Sequence, residues 1–188
     1  MKKKDYTMQH HFKHICYNAD QLTSGTKKLS QFMTRLRKQA NSFPDWFKPE
    51  KYIADGFEAL IEVLIKEMGA MPSMQIKEYS PIPECEKCGV DGIGTGPNGE
   101  AHTVHASVTG NEDYISNFVA HSCAKYNAHN AHNAQAMTVF TAAKGLHEDV
   151  RNKFYMSKVN TIEYAALTKL VDNNLMFWDA FRSQLINP

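Results

Sequence analysis

At 188 residues and 43% hydrophobic, the chain is long enough to bury a sizeable core and too apolar to be disordered throughout. A formal net charge of +1 excludes a uniformly basic or acidic protein, but the charge is unevenly spread. Residues 1–48 hold ten Lys and Arg against three Asp and Glu, a local charge of +7; residues 49–188 hold eleven against seventeen, a charge of −6.

The leader MKKKDYTMQHHFKH carries His10, His11 and His14 and positive charge, with no apolar run behind it. The most apolar stretch, ALIEVLI from Ala59, is interrupted by Glu62, so the sequence predicts neither a signal peptide nor a membrane span. Cys16, Cys85, Cys88 and Cys123 are too few and too unevenly spaced for a disulfide framework, which favours reduced thiols and a cytoplasmic protein.

The first predicted helix is TKKLSQFMTRLRKQANSF, with Thr26 as its cap and Leu29, Phe32, Met33 and Leu36 at helical spacing. Lys27, Lys28, Arg35 and Lys38 fall on the opposite side, giving a basic amphipathic helix. PEKYIADGFEALIEVLIKEMG predicts a central core helix, with Pro49 in its first turn and Gly69 just past its end. Residues 70–84 contain three prolines and a short strand candidate, MQIKEY. Then CEKCGVDGIGTGPNGEAHTVHASV joins a C-x-x-C pair to a β-hairpin turned at Pro97-Asn98-Gly99, with HTVHASV alternating like a strand. A long helix is predicted from Asn111 to about Lys144, with Ile115, Phe118, Val119, Tyr126, Met137 and Phe140 on one face. A short helix around 146–156 and a longer one from Thr161 to Ile186 complete the chain, the last turning Leu170, Val171, Leu175, Trp178, Phe181 and Leu185 inward.

The expected fold is mainly α: a bundle of about five helices with a small inserted β-hairpin and zinc-knuckle element. The basic amino-terminal part is 1–69 and the extended Cys/Gly-rich part 70–110. Residues 111–188 form the carboxy-terminal helices, which pack with 49–69 as one domain.

Cys85 and Cys88 can aim two thiolates at one ion, half of a tetrahedral zinc site. The downstream candidates are His102, His105, His121 and Cys123. On a strand, residues three apart face opposite ways, so one of His102 and His105 joins a given ion. His102 shares a face with Val104, Ala106 and Val108, the side expected to be buried, and is preferred. His121 and Cys123 diverge by about 200° on a helix, and Cys123 is preferred for its thiolate, with His121 in reserve. The zinc would be structural, pinning a glycine-rich hairpin that buries too little surface by itself.

Other chemistries meet the sequence less well. A nucleotide deaminase requires H-x-E upstream of P-C-x-x-C, and Pro83-Glu84-Cys85 has no such partner. No H-E-x-x-H occurs. A metal-dependent ββα nuclease is an alternative, with His105 as base and Asn117, His121 or Asn127 as metal ligands. Gly94 to Gly99 spells G-x-G-x-x-G, but a strand follows where a nucleotide fold needs a helix, so no nucleotide is expected. The leading reading is a non-enzymatic, zinc-stabilised binding protein whose basic amino-terminal region engages nucleic acid or a nucleic-acid machine. The competing one is a protein-protein interaction module, a regulator or assembly component, that uses Phe177, Trp178 and Phe181 of the last helix for a partner or for self-association. Membrane binding is not expected, because a core helix would consume the apolar stripe of the basic helix.

Overall fold

The computed structural model describes residues 18–43, 48–82, 89–126 and 136–186, and all structural statements refer to these. Helix α1 spans Ala19–Thr23 and is capped by Asn18, whose side chain accepts from the Gln21 amide at 2.9 Å. Helix α2, Leu29–Ala40, buries Leu29, Phe32, Met33, Leu36 and Ala40, the stripe that its periodicity foretold. Its first turn is not capped by Thr26. Asp172 Oδ1, from far along the chain, accepts from the Leu29 amide at 2.8 Å, and Gln31 Oε1 accepts from the Lys27 amide at 2.9 Å. Helix α3 runs Pro49–Met68 and is buried over most of its circumference, packing against α2 and the sheet.

The sheet overturns the expectation of a mainly α bundle. It has five strands in the order β1-β2-β3-β4-β5: Lys77–Pro81, Gly92–Thr95, Ala101–Ser107, Met137–Thr141 and Val159–Ile162. The first three are antiparallel and the last three parallel, so the chain has an α/β fold. The predicted hairpin exists as β2 and β3, but it forms the centre of a sheet rather than an insertion among helices. Helix α4, Glu112–Tyr126, connects β3 to β4, and α5, Glu148–Arg151, with a 3-10 turn at Phe154–Lys158, connects β4 to β5. Helices α6, Tyr164–Val171, and α7, Leu175–Ile186, end the fold.

Three predicted helices are corrected. The run expected to continue from Asn111 to Lys144 stops being helical by β4, because Met137, Thr138, Val139, Phe140 and Thr141 are all buried. A strand covered on both faces loses its period-two signature, and its Met and Phe then fit a helical face by coincidence. The helix placed at 146–156 shortens to α5, and the following Val159–Ile162 is strand. The helix placed at 161–186 is two helices, broken at Asp172-Asn173-Asn174, where Asn173 adopts φ +58°.

Two apolar clusters sandwich the sheet. Val104, Ala106, Phe140 and Ile162 lie under α2, α3, α6 and α7, together with Phe177, Trp178 and Phe181. Val90, Met137, Val139 and Val159 lie under α4 and α5, together with Ile115, Phe118, Val119 and Val150. The glycines of β2 serve this packing by lacking a side chain. A Cβ at Gly92 would sit 2.1 Å from Tyr79 Oη and 2.3 Å from its ring, and one at Gly94 would sit 2.7 Å from the Lys77 carbonyl oxygen. Gly99, in the hairpin turn, instead needs left-handed backbone, at φ +83°.

Gly92→Ala should therefore cost about 1–3 kcal/mol in urea denaturation through overpacking against Tyr79. In a Tyr79→Ala background the same change should cost close to nothing, and additivity of the two losses would show that the ring is not the obstacle.

Candidate metal centre and basic face

Because β3 is covered on both sides, its alternation places two histidines in two different interiors. His102, 1% exposed, faces the α3 side with Val104 and Ala106, and its Nε2 meets Thr138 Oγ1 on β4 at 2.8 Å. Burial pushes its pKa down to about 4, against a weaker upward pull from the Glu100 carboxylate. His105, 8% exposed, faces the α4 side, so it is buried as well. Its ring stacks on Phe118 with 5.5 Å between centroids and 23° between planes. Thr103, on the same side, donates to Ser122 Oγ of α4 at 2.9 Å.

Asp91, just before β2, completes this arrangement and was missed in the sequence. Its Oδ2 lies 2.8 Å from His105 Nδ1 and also accepts from the Ala106 amide at 2.7 Å. A carboxylate oxygen can only accept, so Nδ1 carries a hydrogen toward Asp91. The other ring nitrogen, Nε2, is buried and has no hydrogen-bond partner among the described residues. The missed signal was register. With Gly92 paired to Val104, the Asp91 amide donates to the Val104 carbonyl at 2.9 Å, which sets its side chain beside His105.

Cys85 and Cys88 lie outside the described residues. The residue after them, Gly89, has φ +81°, and a Cβ there would be 3.2 Å from the Phe118 amide nitrogen. Gly89 thus packs on the backbone of the helix residue on which His105 stacks. His121 is half-buried, with Nδ1 2.9 Å from the Asn117 carbonyl oxygen, and Cys123 is half-buried and in no disulfide among the described residues. Both are on α4, across the sheet from His102, so the structure does not bring the preferred His102 together with either. Among the described residues, no three His, Cys, Asp or Glu side chains gather as a ready metal cage. Of the nuclease candidates, Asn117 and His121 are on α4, the helix that His105 faces, and Asn127 lies outside the described residues. The Gly94 to Gly99 turn leads directly into β3, with no helix to cradle phosphate.

Of the basic residues, Lys27, Lys28 and Lys38 are exposed, as is Arg37, which the sequence reading passed over. Arg35 is turned inward: its Nη1 donates to the Ser24 carbonyl at 2.6 Å and to Thr26 Oγ1 at 2.8 Å, fastening the α1–α2 loop. Between α1 and α2 runs a groove of about 730 Å³, lined by residues that include Asp20, Gln21, Arg35, Lys38 and Gln39. At the other end of the chain, Phe177, Trp178 and Phe181 are core residues, and the Trp178 indole donates to the Val171 carbonyl at 2.7 Å. Among the described residues, no helix is long and apolar enough to cross a membrane.

His102 gives a pH prediction. Its folded pKa lies below the ordinary 6.5, so the unfolded chain takes up the proton first as the pH falls. The stability held by the neutral ring is complete above pH 6.5 and is lost progressively down to about 4. Urea denaturation at pH 7 and pH 4 should show the wild type losing about 3 kcal/mol more than His102→Gln, and parallel losses would contradict the assignment.

Comparison with protein-family models, curated proteins and solved structures returned no match to this chain.

Proposed function

We propose that the chain is a non-enzymatic, metal-stabilised binding protein whose basic amino-terminal region engages nucleic acid. The observation that carries this reading is the charge of +7 within residues 1–48, with Lys27, Lys28, Arg37 and Lys38 standing exposed on or beside α2. The apolar stripe of α2 is consumed by the core, which leaves its cationic side as the surface available to a partner. Neutralising phosphates with such residues supplies sequence-independent affinity. The groove between α1 and α2 adds the Gln21 amide, which can donate to a phosphate or sugar oxygen, whereas Gln39 Nε2 already donates to the Asn18 carbonyl and Gln21 Oε1.

The metal in this reading is structural zinc held by Cys85 and Cys88, and it would anchor the segment between β1 and β2 to α4. A ββα nuclease fits less well, since the His105 nitrogen that would activate water is enclosed rather than open to a phosphodiester. A protein-protein contact through α7 loses its three aromatic residues to the core and keeps Leu175 and Met176, 57% and 85% exposed.

Two measurements test the proposal. Fluorescence anisotropy with a labelled single-stranded oligonucleotide should show binding that weakens steeply from about 50 to 200 mM salt. Replacing Lys27, Lys28 and Lys38 by Glu should flatten the salt slope by about 0.7 per lost phosphate contact, while Arg35→Ala should lower the melting temperature. No binding at low salt would remove the nucleic-acid reading. Independently, purified protein should contain one zinc per chain, lost in Cys85→Ser with a lowered melting temperature; a metal-free wild type that melts unchanged with chelator would remove the zinc.

A further inference from the structure

We infer that the groove between α1 and α2 is a phosphate site in which Arg35 presents a fixed, two-pronged donor. The inference rests on the nucleic-acid reading above and deepens it: the groove takes a backbone phosphate of the bound strand. The contacts that fasten Arg35 to the α1–α2 loop use one nitrogen of its guanidinium. Both hydrogens of Nη1 are spent there, on the Ser24 carbonyl at 2.6 Å and Thr26 Oγ1 at 2.8 Å, with the Leu22 carbonyl farther off at 3.4 Å. The opposite edge, Nε and Nη2, makes no hydrogen bond among the described residues, and Arg35 stands half-buried in the groove wall. That edge carries the parallel N–H groups that match the oxygens of a phosphate. A guanidinium already held through its other nitrogen loses little freedom when it engages one.

The rest of the wall suits the same ligand. Lys38, one helical turn beyond Arg35, lies on the same side of α2 and is exposed. Gln39 Nε2 donates to Gln21 Oε1 at 3.4 Å, which holds the Gln21 amide by its oxygen and leaves its nitrogen as a donor at the groove wall. Asp20, exposed, is the one carboxylate among the described residues that line the groove, and it opposes an anion there. A volume of about 730 Å³ is that of a small-ligand site, so it admits a phosphate of a flexible single strand and not the body of a duplex.

Nitrogen-15 NMR of the full chain reads the fork directly. A single-stranded oligonucleotide added at low salt should shift the Arg35 Nε–Hε resonance of the wild type, and the same oligonucleotide with neutral methylphosphonate linkages should leave it in place. In anisotropy titrations Arg35→Lys should weaken binding about tenfold while keeping the salt slope, because the charge is kept and the fork is lost. Asp20→Asn, which touches none of the Arg35 anchors, should tighten binding about two- to fivefold, a gain that a merely structural role of Arg35 would not produce. An Arg35 resonance that stays put while the oligonucleotide binds, or an Asp20→Asn affinity equal to that of the wild type, overturns the inference and leaves the nucleic-acid reading standing. A shift with inorganic phosphate and none with the oligonucleotide keeps the phosphate site and overturns the nucleic-acid reading. No shift with either overturns the site.

Discussion

The parallel half of the sheet has to be covered on both faces, and most of the molecule follows from that constraint. Parallel strands need crossover connections, and the crossovers β3–α4–β4 and β4–α5–β5 place helices over one face of the sheet. The other face would then expose Val104, Ala106, Phe140 and Ile162 to water. Helices α2, α3, α6 and α7 close it, and they take Phe177, Trp178 and Phe181 into the core to do so. The aromatic residues of the carboxy-terminal helix are therefore part of the core, where Trp178 and Phe181 pack on the ring of Phe32 from α2.

The same double coverage sets the chemistry of the polar residues on β3. In a sheet with one wet face, His102 and His105 would be one buried and one solvated. Here both are interior, and each is resolved differently. His102 meets a neutral hydroxyl and is held uncharged by burial, so its cost appears in acid. His105 is set against a carboxylate that also holds the backbone of β3, and its ring stacks on Phe118 of the covering helix α4. Thr103 and Ser122 satisfy each other on that side. The basic surface shows a similar division of labour. Arg35 gives up its place in a cationic patch to satisfy loop carbonyls, whereas the lysines, with single flexible ammonium groups, remain in solvent.

Local signals settled those elements whose environment is one-sided. Helix α3 was legible from Pro49, Gly69 and an apolar arc because one continuous segment carries start, stop and stripe; α2 was legible from its stripe, and the hairpin from Pro97-Asn98-Gly99. The C-x-x-C pair and the amino-terminal concentration of positive charge are likewise properties of sequence alone. Tertiary structure decided what depends on a neighbour brought from elsewhere in the chain. β4 and β5 are strands because they are buried on both sides, and burial on both sides erases the alternation that would announce them. The cap of α2 comes from Asp172, and the orientation of His105 comes from Asp91, each supplied by a register or a packing contact that no local window contains. The glycines of β2 are small because Tyr79 and the backbone of β1 cross over them, a requirement for space that in sequence looks the same as a requirement for a turn.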